Sequence, residues 1–239
     1  MGEADTFRLW YWPGIKGRGE YVRLCFEEAG EKYTDIAQEL PPDEGQDAVV
    51  GFFFRGAAPQ PVRAPPAIQK GNFVLCNTGT IMNYLGNRFG WHAHLSGEQK
   101  AQVESIIGIV VGDGVGEGRL AFHPKNFYAS HREQVAESEP YIRQYGEERL
   151  PKYFGYIERL LSANAATIEQ GFIIGPSLTA ADIGCYHFMC AAEKHYHKYY
   201  HQIDAPLAKA HQNRISNRPN IKAYLESKRC PPWDTDSMM

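Results

Sequence analysis

The sequence predicts two parts of different fold class, an α/β part followed by an all-helical part. Strand patterns occur only in the first 91 residues, where short apolar runs alternate with helical patterns. From Ser96 onward the apolar residues recur at helical spacing. A layered α/β unit and a helical bundle each need a core of their own, so we expect two domains, residues 1–91 and 96–239.

The composition excludes several classes of protein. The 239 residues are 43% hydrophobic and 22% charged, which is typical of a globular protein. A net charge of −3 without a basic block argues against nucleic acid as a partner. No apolar run reaches membrane-spanning length, residues 1–5 are acidic rather than a signal sequence, and the five cysteines are scattered without a Cys-x-x-Cys pair. We therefore expect a cytoplasmic protein with free thiols.

The first part begins with a strand, a helix and a second strand. The aromatic run 7–12 has β character and ends at Pro13-Gly14. Residues 20–29 have helical spacing and are followed by Gly30 as a C-cap, and a second strand covers residues 33–36. Residues 37–63 contain four prolines around a Phe triplet, so we expect an irregular segment with one short helix at most and the triplet packed on the sheet.

A hairpin and a helix follow. Gly71-Asn72 separates two short apolar runs, which is typical of a hairpin turn, and Pro66 suits the first position of a strand or a cis turn. Asn77 and Thr78 stand where a helix begins, and the free N–H groups of a helix start can bind an anion. The resulting βαβ-ββα order is the thioredoxin-like arrangement.

The second part shows only helical signals. Ser96 caps a helix that runs into a glycine-rich piece at 112–118, which we expect to be frayed or to have a close neighbour. Residues 131–163 are predicted as helix, with Pro140 and Pro151 in first turns. Thr179 and Asp182 form a capping box, and a final helix runs from Arg218-Pro219 to about Arg229.

The motifs in this order resemble the cytosolic glutathione S-transferases of the tyrosine type, in particular sigma-like members. Tyr11 resembles the catalytic tyrosine that ends their first strand, and the run Gly17–Arg23 resembles the motif that follows it. Pro66-Ala67-Ile68 takes the place of the family's cis-Pro-x-Leu, and Asn77-Thr78 that of its Gln-Ser. The likeness covers nearly the whole chain and includes the capping box and the closing helix.

The resemblance implies an enzyme that activates the thiol of glutathione and adds it to electrophilic small molecules. Tyr11 would donate a hydrogen bond to the thiolate and Arg18 would supply a positive charge. Glutathione would be a co-substrate, and neither a cofactor nor a metal ion is implied. The chain is one residue longer between Tyr11 and Arg23 than in most relatives, through Pro13–Lys16.

The resemblance also implies a binding site for each end of glutathione. Pro65 and Pro66 would hold the cysteinyl backbone, and Asn77 and Thr78 the γ-glutamyl end. An acid from the neighbouring subunit would reach the γ-glutamyl amine, which implies a homodimer. Asp113 is the best candidate, with Glu117 one turn away as an alternative.

The remaining assignments concern the group that binds the glycine carboxylate and the electrophile pocket, where the family motifs are less clear. The family tryptophan that binds the glycine carboxylate has no counterpart between Thr34 and Ala64, so Arg63 is our candidate, with Arg55 and Gln60 as alternatives. We expect four aromatic residues near the electrophile pocket: Trp10, Trp12, Phe122 and Trp233.

Several alternatives remain. A disulfide-exchange enzyme of this fold would carry a cysteine near Tyr11, and none is present; Cys25 and Cys76 are read as inert core thiols. A binding or structural protein could have kept the fold without turnover, and an isomerase or peroxidase would use the same thiolate. A metal site at His195, His197 and His201, with His187 and Cys190 upstream, would use an i, i+4 spacing that metals accept, although no HExxH motif accompanies it.

Overall fold

The computed structural model describes residues 6–165 and 171–233. The acidic segment 1–5, on which the expectation of no signal sequence rests, lies outside the described residues. Two compact units are present, one formed by residues 6–89 together with 218–233 and the other by residues 90–217. The chain therefore enters the first unit twice. The predicted domains, 1–91 and 96–239, put the closing helix in the second domain, whereas the structure groups it with the first unit.

The first unit is built on a four-stranded mixed sheet. Its strands are β1 (Phe7–Trp10), β2 (Tyr33–Asp35), β3 (Ala67–Lys70) and β4 (Phe73–Cys76), in the order β2-β1-β3-β4. β1 runs parallel to β2 and antiparallel to β3, and β3 and β4 form the predicted hairpin. Gly71 turns the hairpin with φ 58°, a value that glycine adopts without a steric penalty. The predicted thioredoxin-like arrangement is confirmed.

Four helices complete this unit: α1 (Gly19–Ala29), α2 (Pro42–Phe54), α3 (Thr78–Arg88) and α11 (Pro219–Leu225). α1 packs against β1, α3 and α11. It ends as predicted at Gly30, whose φ of 66° is left-handed and whose N–H donates to the Glu27 and Phe26 carbonyls.

α2 is longer than the short helix expected for the proline-rich segment. Pro42 occupies the first turn, where its missing N–H costs nothing, and Asp43 and Glu44 face the positive end of the helix dipole. Phe52 and Phe53 are buried with Val49 in one apolar cluster, as expected for the triplet, but Phe54 is 56% exposed. The prolines therefore start this helix rather than prevent it.

The second unit is helical throughout the part of the chain that the structure describes. Its α-helices are α4 (Gly97–Ile107), α5 (Val115–Phe122), α6 (Val135–Gln144), α7 (Leu150–Ala165), α8 (Ala180–His195), α9 (His197–Tyr200) and α10 (Pro206–Ser216). The predicted capping box of Thr179 with Asp182 is present, and Ser96, predicted as a cap, forms a capping box with Gln99. Both helix starts were therefore encoded locally.

The glycine-rich piece is neither frayed nor a break. Residues Gly108–Gly114 form a π-helical stretch that joins α4 to α5. A side chain at Gly114 would come within 3.0 Å of Phe188 and 3.3 Å of Tyr153, whereas Gly108 and Gly112 face open space. A close neighbour thus explains Gly114 but not Gly112.

The prediction that Pro140 lies in a first turn is wrong. Pro140 lies inside α6, and Pro151 follows a second π-helical stretch, Tyr145–Arg149, at the start of α7. Proline removes one backbone donor and crowds the preceding turn, and a wider π turn is one way for a helix to accommodate such a defect. Residues 135–165 therefore form one helical path with a local adjustment before Pro151.

The final helix also differs from its prediction. α11 ends at Leu225 instead of near Arg229, and residues Ser227–Cys230 continue as turns. The five cysteines, all of which lie among the described residues, are not joined by disulfides, as predicted, and Cys25 is fully buried. Among the described residues, none of the helices is long and apolar enough to cross a membrane.

Candidate functional site

The predicted glutathione residues of the first unit lie at one edge of its sheet. Trp10, the last residue of β1, pairs with Ala67, the first of β3, and Ala67 pairs with Cys76, the last of β4. The residues just beyond these pairs are Tyr11, Pro66 and Asn77. Strand register, rather than sequence distance, therefore brings these three positions together.

Tyr11 is held by the loop that follows it. Its side chain is 2% exposed, and its hydroxyl accepts a hydrogen bond of 2.8 Å from the backbone N–H of Arg18. A Cβ on Gly17 would lie 2.2 Å from the Tyr11 hydroxyl, and one on Gly19 would lie 2.5 Å from the ring. Both glycines are needed because any larger residue would displace the tyrosine.

A buried arginine holds this loop in place through hydrogen bonds to its backbone. Arg23 is fully buried; its Nη1 donates to the carbonyl oxygens of Ile15 and Lys16, both at 3.1 Å. Its Nε donates to Asp35 Oδ2 at 2.6 Å, and its guanidinium lies 5.7 Å from the centre of the Tyr11 ring. Burial alone would lower the pKa of Arg23, but the neighbouring carboxylates, above all that of Asp35, outweigh it and the pKa is raised.

Arg23 is the last residue of the sequence motif Gly17–Arg23, and the resemblance implied no role for it. The signal that could have identified it is the combination of a charged residue with the apolar face of α1, because an arginine at a fully buried position must have carboxylate and carbonyl partners. Glu20, also buried, is one such partner at 3.3 Å. A buried network of ion pairs and hydrogen bonds thus supports the loop around Tyr11.

The start of α3 has the features of an anion site. The Pro65–Pro66 peptide bond ahead of β3 is cis. Asn77 has φ 81° and ψ 118°, a rare conformation for a residue other than glycine, and its Oδ1 accepts from the Thr80 N–H at 3.1 Å. Thr78 is 4% exposed and is the first residue of the helix. Unusual backbone at a helix start, at the same edge of the sheet as Tyr11, is consistent with a ligand site.

The two carboxylates considered for the γ-glutamyl amine differ in their contacts. Glu117 receives two hydrogen bonds from Arg149, of 2.8 Å and 2.6 Å, which lower the pKa of its carboxyl. Asp113 is exposed on the π-helical stretch. Glu117 is therefore engaged inside the helical unit, and this favours Asp113 as the residue available to a ligand.

The three residues considered for binding the glycine carboxylate also differ in their contacts. Arg55 forms an ion pair of 2.7 Å with Asp47, and Gln60 donates its side-chain N–H to the Asn72 carbonyl at 3.1 Å. Arg63 is exposed, and Pro65 is half-buried beside it. The contacts favour Arg63.

The four aromatic residues expected at the electrophile pocket are divided between different environments. Trp10 stacks on Phe52 with the ring centres 4.0 Å apart and donates its N–H to Gln69, so packing explains it. Trp12 also packs on the α2 cluster, and Trp233 lies with its ring centre 5.4 Å from Lys16 Nζ. Phe122 is 6% exposed among His131, His195 and Tyr196 in the helical unit.

The histidines considered as metal ligands do not form a metal-type group. His197 and His201 contact each other at 3.2 Å, on the surface. Within the described residues, no set of three His, Cys, Asp or Glu side chains has the geometry to hold a metal ion. His187 is 3% exposed, and burial lowers the pKa of His195 to about 4.

Known proteins resemble this chain along nearly its whole length. Residues 124–228 match the family model described as "Glutathione S-transferase, C-terminal domain". A glutathione S-transferase of Plasmodium falciparum is 27% identical over 229 residues, with 95% of this chain and 98% of that protein covered. Glutathione S-transferase P 1 of Xenopus laevis is 27% identical over 221 residues, with 92% and 91% covered.

A solved structure extends the likeness to the fold. The pi-class glutathione S-transferase of Onchocerca volvulus superposes with a TM-score of 0.71 at 18% identity, covering 97% of this chain and 98% of that chain. Likeness in sequence and in fold therefore extends over both units, including the sheet edge that carries Tyr11. The chain is therefore similar to glutathione S-transferases over nearly its whole length, in sequence and in fold.

Proposed function

We propose that this protein is a glutathione transferase of the tyrosine type, which holds glutathione as a thiolate beside Tyr11 and adds it to electrophilic small molecules. The observation that carries the proposal is the position of Tyr11 at the sheet edge shared with Pro66 and the start of α3. The relatives named glutathione S-transferase, which align over nine-tenths of this chain or more, support conjugation as its reaction.

The chemistry begins with the thiol. A free thiol has a pKa near ~8.5 and is mostly protonated at neutral pH, whereas the thiolate is the nucleophile. Lowering that pKa by ~2 units requires about 2.7 kcal/mol in favour of the anion. One charge-assisted hydrogen bond contributes ~1.5 to 3 kcal/mol, so one hydroxyl donor and a nearby cation are sufficient.

Tyr11 and Arg18 would supply these two groups. The Tyr11 hydroxyl accepts the Arg18 N–H, and a hydroxyl that accepts one hydrogen bond donates a stronger one. The tight contacts with Gly17 and Gly19 fix its direction, so little reorganisation accompanies formation of the thiolate. Arg18, half-buried at the start of α1, would add its positive charge.

The rest of glutathione would follow the sheet edge towards α3. Thr78 would meet the γ-glutamyl carboxylate with its hydroxyl and with the N–H groups of the helix start. The Asn77 oxygen caps the helix, so the group that Asn77 would offer the ligand is its side-chain N–H. Arg63 would take the glycine carboxylate.

Pro65 gives a specific expectation for the cysteinyl unit. In relatives, the residue before the cis-proline offers both its N–H and its C=O, but Pro65 has no N–H. We expect a single backbone hydrogen bond, from the glutathione N–H to the Pro65 carbonyl. A structure with glutathione bound that shows a backbone donor at this position would contradict the assignment.

We further propose that the enzyme is a cytoplasmic homodimer, sigma-like or close to it. Asp113 would reach the γ-glutamyl amine bound to the partner subunit, and its exposure supports this role. Trp12, Phe122 and Trp233 are the aromatic residues proposed for the electrophile site, while the packing of Trp10 favours a structural role. The five cysteines form no disulfide within the described chain, which supports a reducing compartment.

The decisive experiment compares native protein with Tyr11→Phe in the conjugation of glutathione to a chlorinated nitroaromatic. Loss of one donor to a developing anion lowers the rate by about 100-fold or more, and we expect a fall in kcat/KM of that order. Tyr84→Phe is the matched control, because Tyr84 lies on α3 with its ring 5.1 Å from Phe73, and we expect it to keep full activity.

Two outcomes would contradict the proposal. If Tyr11→Phe is as active as native protein, the thiolate is stabilised by another group. If native protein binds glutathione without turnover of any electrophile, the protein is a binding or structural member of the family. A panel of prostaglandin, hydroperoxide and isothiocyanate substrates then separates conjugation from isomerase and peroxidase activity.

A further inference from the structure

The C-terminal segment of the first unit brings a thiol against a buried amine. Lys16, in the loop that leads to Arg18, is 5% exposed, and its Nζ lies 2.6 Å from Cys230 Sγ and 2.9 Å from Glu20 Oε1. The sulfur lies 3.8 Å from the same Glu20 oxygen, and the Trp233 ring centre lies 5.4 Å from Nζ. The Cys230 thiol thus meets an amine and a carboxylate from a distant part of the sequence, where Lys16 and Glu20 are four residues apart.

This contact is closer than an ordinary hydrogen bond to sulfur. Hydrogen bonds from N–H to the smaller oxygen atom span ~2.7 to 3.2 Å, and reacting atoms in productive geometry are ~3 to 3.5 Å apart. The amine nitrogen and the thiol sulfur, 2.6 Å apart, are therefore in direct contact. Cys230 is half-buried, so a small oxidant can reach its sulfur.

We propose that Lys16 and Cys230 form an oxidative cross-link site, in which peroxide converts the pair into a covalent sulfur–nitrogen bond. No assigned role of the glutathione site uses either residue. The link goes beyond the transferase reaction, and its formation can be measured without any electrophile.

The chemistry proceeds in two balanced steps. Hydrogen peroxide oxidises the Cys230 thiol by two electrons to a sulfenic acid and is itself reduced to water. The Lys16 ammonium passes a proton to the Glu20 carboxylate, and the amine nitrogen attacks the sulfur. The nitrogen–sulfur bond forms as the sulfur–oxygen bond breaks, and the hydroxyl leaves with the second amine proton as water. The product is a sulfenamide, two hydrogen atoms lighter than the reduced pair.

The resting pair is the ammonium and the thiol. Burial disfavours the Lys16 charge, but Glu20 and Cys230 outweigh burial, and the pKa of Lys16 is raised. Burial, followed by the Glu20 carboxylate, raises the pKa of the Cys230 thiol. The thiolate fraction is small at neutral pH, so the first step is slow and the test requires excess peroxide.

The location gives the link a consequence. The Lys16 carbonyl is held by Arg23, and the N–H two residues further along the chain, that of Arg18, binds the Tyr11 hydroxyl. A covalent bond from Lys16 to Cys230 would fasten the segment after α11 to the loop that positions Tyr11. A sulfenamide is reducible by thiols, so glutathione itself would reverse it.

The test treats the folded, full-length protein with excess hydrogen peroxide and analyses its peptides by mass spectrometry. We expect one cross-linked species that joins the peptides of Lys16 and Cys230, lighter than their sum by two hydrogen atoms, and its loss after dithiothreitol. Cys190, half-buried and 3.5 Å from the Gln212 side-chain nitrogen, is the internal control and should show no lysine link.

Lys16→Arg is the matched variant. It keeps a positive charge beside Glu20 but replaces the amine by a guanidinium that stays protonated and does not attack sulfur. We expect a dimedone-type reagent to label Cys230 in this variant and not in native protein. The proposal is overturned if native Cys230 stays reduced or proceeds to sulfinic acid without a link, or if the link forms equally in urea, because then the fold does not create it. The comparison of native protein with and without urea tests the proposal even if the variant fails to fold.

Discussion

At the scale of single residues, the position of Tyr11 depends on a neighbouring glycine that has no side chain. Gly17 has φ +45° and lies where any Cβ would be 2.2 Å from the Tyr11 hydroxyl. Gly14, in the same loop, has φ +74° and open space around it. The two glycines share a backbone conformation that other residues rarely adopt, but only Gly17 also makes room for the tyrosine.

This contrast gives a matched pair of variants. Gly17→Ala and Gly14→Ala both lose about 1 kcal/mol to backbone strain at positive φ. Gly17→Ala must also displace the Tyr11 hydroxyl, so we expect its kcat/KM to fall by a further ~10-fold or more, since a small misplacement of a catalytic group has a large kinetic cost. Steady-state kinetics with circular dichroism as the folding control measures this. Equal activity of the two variants would show that Gly17 does not position Tyr11.

At the scale of elements, the start of α8 is more than a local cap. Asp182 is fully buried and accepts from the Thr179 N–H and hydroxyl at 2.8 Å, from the Ile173 N–H at 2.9 Å and from His211 Nε2 at 2.9 Å. The sequence predicted the bonds to Thr179. The bonds from Ile173 and from α10 arise from tertiary structure and turn a helix cap into a junction of three segments.

The two capping boxes of the helical unit should therefore differ in energy. Ser96→Ala removes an exposed cap and should cost about 1 kcal/mol. Asp182→Ala leaves several buried donors unpaired and should cost ~3 kcal/mol or more in the free energy of unfolding. Urea denaturation of both variants, followed by far-ultraviolet circular dichroism, tests the difference. Equal losses would mean that the bonds from Ile173 and His211 contribute nothing.

The buried histidines of this unit predict its response to acid. Burial lowers the pKa of His92, whose Nε2 accepts the Ala180 N–H at 3.2 Å, and burial followed by Lys194 lowers the pKa of His195 to about 4. A depressed pKa means that the unfolded chain binds the proton first. Stability is therefore full above pH 6.5 and is lost as the pH falls towards 4.

The expected loss can be assigned to one residue. Between pH 7 and pH 4, His195 should account for about 3 kcal/mol of the decrease in unfolding free energy, from ~1.36 kcal/mol per pH unit. His195→Gln should flatten this part of the stability profile relative to native protein. Urea denaturation midpoints at several pH values measure the profile, and parallel profiles for the variant and native protein would contradict the assignment.

At the scale of the whole molecule, residues 218–233 return to the first unit. The Tyr224 hydroxyl donates to Glu20 at 3.0 Å, the Arg218 Nε donates to Glu28 at 2.7 Å, and the side chain of Asn220 donates to the Glu28 carbonyl at 3.0 Å. All three contacts are with α1, the helix that also carries Arg23. The last described part of the chain thus supports the helix that holds the Tyr11 loop.

A pair of truncations tests this dependence. A chain that stops after Asn217 uncovers the apolar face of α1 and leaves Glu20 and Glu28 without these partners. We expect it to lose retention on immobilised glutathione and to show faster hydrogen exchange in α1. A chain that stops after Trp233 keeps all of these contacts and should behave as native protein. Retention by both truncated chains would show that the segment is dispensable.

The sequence by itself determined the elements whose signals are local. The Gly30 C-cap, the Gly71-Asn72 turn, the boxes at Ser96 and Thr179 and the strand patterns required only near neighbours, because turns and caps are formed within a few residues. The βαβ-ββα order of elements was also predicted, whereas the register that brings Tyr11, Pro66 and Asn77 to one edge came from the structure. Motif resemblance added their proposed roles.

Tertiary structure decided the rest. The extent of α2, the place of Pro140 inside α6 and the return of α11 to the first unit depend on packing partners far away in the sequence, which can override a local preference. The same holds for the glycines against Tyr11, for the Arg23 network and for the contact of Lys16 with Cys230. Local pattern fixes which element forms, because its hydrogen bonds are near in the chain; which atoms meet is settled only when distant segments bury a common surface.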